Sequence, residues 1–288
     1  MIWQYTGQGS QKANMAEPLL KYNSFCKAWG HCSEIAENFG INLNQVIQDP
    51  EKINHTEFSQ PLIFAYQYAL SQHMLTTQEP PEWVLGHSIG EYAAYIVAGL
   101  ISFESAFELI ITRGKLIGSL PLNESGMLAV KIDINHIDTI NDLINDVDIA
   151  AINSPNQLVL SGKISRLNEL KTKLADKKIR SILLNVSHGF HSREMDTILP
   201  QFHEKAHKIL SKESVSKNIQ YTRMLSTVNK KELTEVTSDY LTDHIRKTVN
   251  YWPLIKSVSN HVFIEIGPMP ILTKLLTKEA ITTQDAHT

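Results

Sequence analysis

Cysteine is nearly missing from this chain: Cys26 and Cys32 are the only two among 288 residues. Six positions apart on one predicted helix, they do not face each other and make a poor disulfide. Without further cysteines or a histidine pair at ligand spacing they do not make a zinc site either, and they read as small apolar side chains in a reducing compartment. Basic residues are not in excess. The 27 Lys and Arg against 30 Asp and Glu give a net charge of −3, too little positive charge to neutralise a run of phosphates, so nucleic-acid binding is not expected. A local basic patch for an acidic partner is not excluded by that balance. No apolar run is long enough to span a bilayer, so no membrane association is expected. The opening Met1-Ile2-Trp3-Gln4-Tyr5 lacks the basic stretch and apolar run of a secretory leader, which predicts a cytoplasmic location. Internal repeats and low-complexity linkers are absent too. What remains, 42% hydrophobic and 20% charged residues, is the composition of a globular enzyme large enough for a main domain with a smaller appendage.

Read along its length, the chain begins with a short strand, Ile2 to Thr6, that runs into Gly7-Gln8-Gly9-Ser10-Gln11. A helix is predicted from Ala13 to Asn38, stopping near Gly40. Ser59-Gln60-Pro61 opens another, with the proline in its first turn where the missing N–H is harmless. Trp83-Val84-Leu85 is a brief apolar strand, followed by Gly86-His87-Ser88-Ile89-Gly90 and a small-residue helix from Glu91 to Ala98. Ser102 is placed to cap a helix whose apolar positions Phe103, Phe107, Ile110 and Ile111 follow a 3.6-residue period.

The middle of the chain reads strand (Met127 to Ile132), helix (Asn135 to Ile144), strand (Asp148 to Ile152), strand (Gln157 to Leu160), helix (Ile164 to Ala175), strand (Arg180 to Val186). That order, βαββαβ, is the ferredoxin-like unit. The expected fold class is α/β: a hydrolase-like core from residues 1–124 and 188–288, with residues 125–187 inserted as a small ferredoxin-like subdomain. A last strand is predicted from His261 to Ile266 before Gly267-Pro268.

The sharpest local signal is Gly86-His87-Ser88-Ile89-Gly90, a G-x-S-x-G between strand and helix. Such an elbow exposes the serine oxygen on a tight turn, and its glycines let strand and helix approach. The helix that follows directs free N–H groups towards the serine, so the Ile89 N–H is placed to hold an oxyanion. A serine hydroxyl is protonated at neutral pH and needs a base. Of the twelve histidines, most lie on polar helices, whereas His188 and His191 sit where the chain returns from the insert, in His188-Gly189-Phe190-His191-Ser192. A histidine there reaches the strand ends where α/β folds gather their chemistry. The residues themselves do not choose between the two.

Six motifs in order now show a resemblance. Gly7-Gln8-Gly9-Ser10-Gln11, Gly86-His87-Ser88-Ile89-Gly90-Glu91, Arg113-Gly114, Asn153-Ser154-Pro155 with Ser161-Gly162, His188-Gly189-Phe190-His191-Ser192 with Met195, and Glu265-Ile266-Gly267-Pro268 together resemble the malonyl-CoA:acyl-carrier-protein transacylase family. That family includes the acyltransferases of polyketide synthases, and its members carry a ferredoxin-like insert.

The resemblance implies Ser88 as nucleophile, His191 as its base, and a backbone carbonyl near His244 or Asn250 to orient the imidazole. It implies an oxyanion hole from the Ile89 N–H with Gln8, and Arg113 as a bidentate grip on the free carboxylate of malonyl. Gln60, Asn153, His188 and Phe190 are expected around the substrate, with His188, Phe190 and Ile89 favouring malonyl over an α-methylated group. Malonyl-CoA, an acyl carrier protein and a polyketide synthase served in trans are the implied partners. No metal or redox cofactor is implied, since a thioester is already activated, and a monomer is expected. Two positions depart from the family: Thr6 stands where proline is usual, which is expected to loosen the Gln8 loop, and Ala151 where asparagine is common, which removes a polar contact. The rival enzyme reading is an acyl hydrolase clearing carrier proteins, expected to lack the arginine. A second rival is a non-catalytic carrier-binding subunit.

Overall fold

A computed structural model of the chain describes residues 1–213, 222–284 and 286. Strand β1 (Ile2–Tyr5) is wholly buried and lies at the centre of a six-stranded sheet. It is followed by α1 (Asn23–Asn38), α2 (Leu43–Val46), α3 (Thr56–Met74), β2 (Trp83–Gly86), α4 (Glu91–Val97) and α5 (Phe103–Gly118). A four-stranded sheet comes next, from β3 (Ser125–Val130), β4 (Asp148–Ser154), β5 (Gln157–Lys163), α6 (Ile164–Asp176) and β6 (Ser181–Leu183). The chain then returns through α7 (Leu199–Leu210), β7 (Arg223–Ser226), β8 (Lys231–Leu233), α8 (Ser238–Arg246), α9 (Tyr251–Ser257), β9 (Phe263–Ile266), α10 (Ile271–Lys278) and β10 (Thr283–Gln284).

The large sheet runs β10-β9-β1-β2-β7-β8, parallel throughout except for the β7–β8 hairpin. Tyr5 pairs with Gly86 on one side and Ile266 on the other, so the carboxyl ends of three central strands lie together. Parallel strands covered on both faces carry near-continuous apolar runs, and α/β sheets bind ligands beyond those ends. The small sheet runs β4-β5-β3-β6, antiparallel throughout, which is the ferredoxin-like order expected from the strand pattern. Leu128, Val130, Leu158, Leu160 and the Leu167, Leu170 and Leu174 face of α6 form its own apolar cluster, while Met127, Ala151 and Val159 join the main core. The fold class is therefore the expected one.

Local departures from the sequence pattern have identifiable causes. The helix expected from Ala13 is broken: Asn14 adopts a left-handed φ of 54°, Pro18 sits in a short 3₁₀ turn (Glu17–Leu19), and α1 begins only at Asn23. Helix α3 starts at Thr56 rather than beside Pro61, which leaves the proline inside the helix with no N–H for the Glu57 carbonyl. The first turn of α3 is packed against α5. A Cβ on Gly114 of α5 would lie 3.2 Å from the Thr56 carbonyl, so the bare glycine lets α5 close on the first turn of α3. The segment expected as a helix from Asn135 is 3₁₀ (Ile134–Leu143) with a kink at His136. Strands β7, β8 and β10 carry no pattern strong enough to have been read.

Candidate active site

The elbow forms as its glycines dictate. A Cβ on Gly86 would lie 2.0 Å from the Glu91 nitrogen, and one on Gly90 would lie 2.4 Å from the Tyr5 carbonyl oxygen, so neither position admits a side chain. Ser88, between them, takes a left-handed φ of 51°, a strained backbone that surrounding contacts must hold. One such contact comes from His244, fully buried on α8, whose Nε2–H donates to the Ser88 carbonyl at 3.0 Å. Ile89 is buried, and its N–H belongs to the first turn of a helix, where no intrahelical acceptor exists.

The Ser88 hydroxyl donates to Nε2 of His191 at 2.6 Å, across 103 residues of sequence. His191 Nδ1 lies 3.0 Å from the Lys247 carbonyl. A carbonyl only accepts, so Nδ1 carries the proton and Nε2 presents its lone pair to the serine. No carboxylate is needed to fix this tautomer. Lys247 lies between His244 and Asn250, within the stretch expected to supply the carbonyl. Burial, then the charges of Arg113 and His87, push the His191 pKa down to about 3, outweighing the Lys247 hydrogen bond. The imidazole is therefore neutral, and able to take a proton, across the whole neutral range.

Arg113 is 1% exposed on α5, and neither Nε nor Nη1 has a hydrogen-bond partner among the described residues. Burial lowers its pKa, and the neighbours that oppose this are the hydroxyls of Tyr92 and Tyr95 rather than a carboxylate. A guanidinium stays charged even so. Arg113, Ser88 and His191 line one cavity of about 240 Å³, with Gly7, Gln8, His87 and Asn153 and the apolar Met127, Ala151, Val159, Val186 and Phe190. Of the residues expected from the sequence, Ser88, His191, Gln8, Arg113, Asn153 and Phe190 thus meet in one place.

Gln60 and His188 stand behind that wall. Gln60 Nε2 donates to Gln8 Oε1 at 3.1 Å, and Gln8 Nε2 donates to Thr56 at 3.3 Å. Thr56 and Ser187 hydroxyls meet at 2.8 Å, Ser187 bonds His188 Nδ1 at 2.8 Å, and His188 Nε2 reaches the Leu120 carbonyl at 3.2 Å. His188 therefore connects to the cavity through Gln8 and does not line it. Thr6 tightens its loop, contrary to the expected loosening: its hydroxyl donates to Ser10 at 3.0 Å, Ser10 donates to the Gly7 carbonyl, and Gln67 binds the Thr6 carbonyl at 2.7 Å. Ala151 lines the cavity without a polar group, and Asn153, two residues along β4, accepts from His87 Nε2 at 2.8 Å.

Glu91 closes the elbow motif, but no role was expected of its carboxylate. Glu91, wholly buried, accepts from the Thr227 N–H and hydroxyl and from Tyr95 and Tyr240. It lies 3.7 Å from His244. Burial raises its pKa despite those hydrogen bonds. Among the described residues no three His, Cys, Asp or Glu side chains are grouped to hold a metal ion, and no helix is long and apolar enough to cross a membrane.

His191, His244 and His87 all have pKa values lowered from 6.5, with burial the largest cause in each. The unfolded chain binds protons at these sites from about pH 6.5 downward and the folded chain does not. Their contribution to stability is therefore complete above pH 6.5 and is lost as pH falls below it, for His191 on the way down to about 3. Activity and stability should separate accordingly. Initial rates of Ser88 acylation are expected to stay flat from about pH 8 to pH 5.5 while the thermal midpoint falls below pH 6.5. An acid limb of the rate centred on the ordinary histidine value would contradict this.

An α/β core with an elbow serine and a ferredoxin-like insert matches the acyltransferase fold. Residues 2–288 match the acyl transferase domain model, and the chain belongs to that family, as its motifs suggested. Polyketide synthase GfsA of Streptomyces halstedii is 29% identical over 286 residues, covering 94% of this chain and 4% of that protein. The acyltransferase domain from the second module of the salinomycin polyketide synthase shares 28% identity at a TM-score of 0.87, over 99% of this chain and 68% of that one. A malonyl CoA-acyl carrier protein transacylase from Clostridium perfringens shares 27% identity at a TM-score of 0.84, over 99% and 92%. The chain spans between 4% and 15% of the length of the first curated relatives it matches.

Proposed function

We propose that this acyltransferase moves a malonyl group from malonyl-CoA to the phosphopantetheine thiol of an acyl carrier protein, by way of a serine ester on Ser88. One observation carries the choice of malonyl: a buried guanidinium whose Nε and Nη1 have no hydrogen-bond partner among the described residues opens into the cavity that holds the Ser88–His191 pair. An unpaired buried cation is unfavourable on its own, and a carboxylate on the acyl group supplies the missing anion.

Ser88 gives its proton to His191 Nε2 as its oxygen attacks the thioester carbonyl. The imidazolium so formed is held by the Lys247 carbonyl. The developing oxyanion meets the Ile89 N–H and the backbone N–H of Gln8, whose side chain is occupied by Thr56 and Gln60. Collapse of the adduct expels the coenzyme A thiolate, which takes the proton from His191 and leaves as the thiol. The carrier thiol then gives its proton to His191, attacks the ester, and the second collapse returns the proton to Ser88. The reaction is ping-pong, and malonyl is held throughout by Arg113. Phe190, with Met127 and Val159, gives the cavity an apolar wall.

The test is intact-mass analysis after mixing with malonyl-CoA and, separately, acetyl-CoA. A malonyl adduct on Ser88 is expected, and it should transfer to a carrier protein of a polyketide synthase supplied as a separate chain. Equal loading of acetyl with release to water would favour a hydrolase and end this reading.

A further inference from the structure

Both ends of the His191–Lys247 contact are tied to one acidic side chain on the other sheet. Arg193, two residues after His191, binds Asp148 three times: its N–H reaches Oδ2 at 2.8 Å, Nε reaches Oδ2 at 3.0 Å and Nη2 reaches Oδ1 at 3.2 Å. Arg246, the residue before Lys247, lies 3.7 Å from Asp148 Oδ1 and donates to Asp196 at 2.7 Å. Asp148 opens β4, an edge strand of the small sheet. The same strand secures the residues just past Lys247: the Thr248 hydroxyl donates to the Ile149 carbonyl at 2.6 Å, Val249 N–H to Ala150 at 2.9 Å, and Ile152 N–H to Val249 at 3.0 Å.

We propose that Asp148 is a positioning residue for the general base, holding the segment that bears His191 and the segment that bears its carbonyl acceptor in one register from the small sheet. This rests on the reaction proposed above. Two further observations call for such a clamp. His191 takes a left-handed φ of 55°, which a non-glycine residue keeps only where its surroundings over-determine it. Its acceptor is a backbone carbonyl on the residue just past the end of α8, and no side chain at that position can aim it. The small sheet is therefore part of the base as well as a wall of the cavity. Any shift of β4 against the large sheet would change the tautomer-fixing hydrogen bond before it changed the substrate contacts at Arg113.

The experiment compares wild type, Asp148→Asn, Arg193→Gln and Arg166→Ala. Arg166 serves as control because it pairs with Asp146 and Glu169, away from the cavity. Single-turnover acylation by malonyl-CoA is followed by quenched intact mass, fold by thermal unfolding, and the His191 Nδ1–H by its downfield proton resonance. Asp148→Asn is expected to lower the maximum acylation rate about ten- to a hundredfold, with half-saturation within about twofold of wild type, and to shift or broaden the resonance. Arg193→Gln should act in the same direction, which keeps the test open if Asp148→Asn folds poorly, and Arg166→Ala should match wild type. A folded Asp148→Asn or Arg193→Gln protein with wild-type rate and resonance would overturn the proposal. So would a change confined to half-saturation. Failure of wild type to form any adduct would instead sink the reaction, and the proton resonance would still decide the role of Asp148.

Discussion

Ser88→Ala is expected to form no acyl adduct and to lose at least about 10⁴-fold of its transfer activity, with the fold intact. Alanine meets the same backbone strain at φ 51° as serine does, and the Ser88 carbonyl remains available to His244. What disappears is the hydroxyl oxygen 2.6 Å from the His191 imidazole. The partner variant is His191→Asn, since asparagine tolerates a left-handed backbone and so separates loss of the base from loss of the turn. It should acylate about 10²- to 10⁴-fold more slowly than wild type. Because the two side chains act as a unit, the double variant should be no slower than Ser88→Ala alone. Stopped-time mass spectrometry with malonyl-CoA measures all three. An Ser88→Ala protein that still accumulated an adduct would place the nucleophile elsewhere.

The parts of this site that could be read from the chain are those where chemistry and local geometry coincide. Gly86 and Gly90 announce the elbow because any Cβ there would collide with the backbone, and the βαββαβ order announces the small sheet because strand alternation survives at its buried face. The acceptor for His191 is a backbone carbonyl, which leaves no mark on residue type. Its approximate location came from resemblance, and its identity as Lys247 came from the fold. Glu91 was visible as the end of a motif and His244 as a landmark for the carbonyl, but the contacts each makes were not, because their partners Thr227, Tyr240 and the Ser88 carbonyl lie far along the chain. The start of α3 was misplaced for a related reason. Pro61 suggested a helix opening by its own preference, whereas the helix starts five residues earlier at Thr56, where its first turn packs against Gly114 of α5. Short-range rules fail here wherever a long-range contact decides.

Arg113→Met is expected to raise the thermal midpoint of the ligand-free protein while lowering malonyl loading by about thirtyfold or more. Methionine fills much of the same volume and brings no charge. The wild-type guanidinium is 1% exposed, with Nε and Nη1 unpartnered among the described residues, so the folded state holds a desolvated cation that contacts with Tyr92 and Tyr95 offset only in part. Replacing buried charge with apolar volume commonly stabilises by about 1–4 kcal/mol. The same substitution removes the anion's partner in the acyl-enzyme. Truncating one side of a buried charged pair costs about 2–5 kcal/mol, and every 1.4 kcal/mol is tenfold. Malonyl-CoA should therefore stabilise wild type against heat and leave Arg113→Met unmoved. Neutral acyl groups lose nothing by the change, so the ratio of acetyl to malonyl loading should rise by about thirtyfold or more. Removing Arg113 also lifts one of the charges that depress His191, so the acid limb of acetyl loading should move upward from about 3. A variant less stable than wild type and still selective for malonyl would mean that the cation is satisfied within the fold. The cavity beside Ser88 would then be reading something other than a carboxylate.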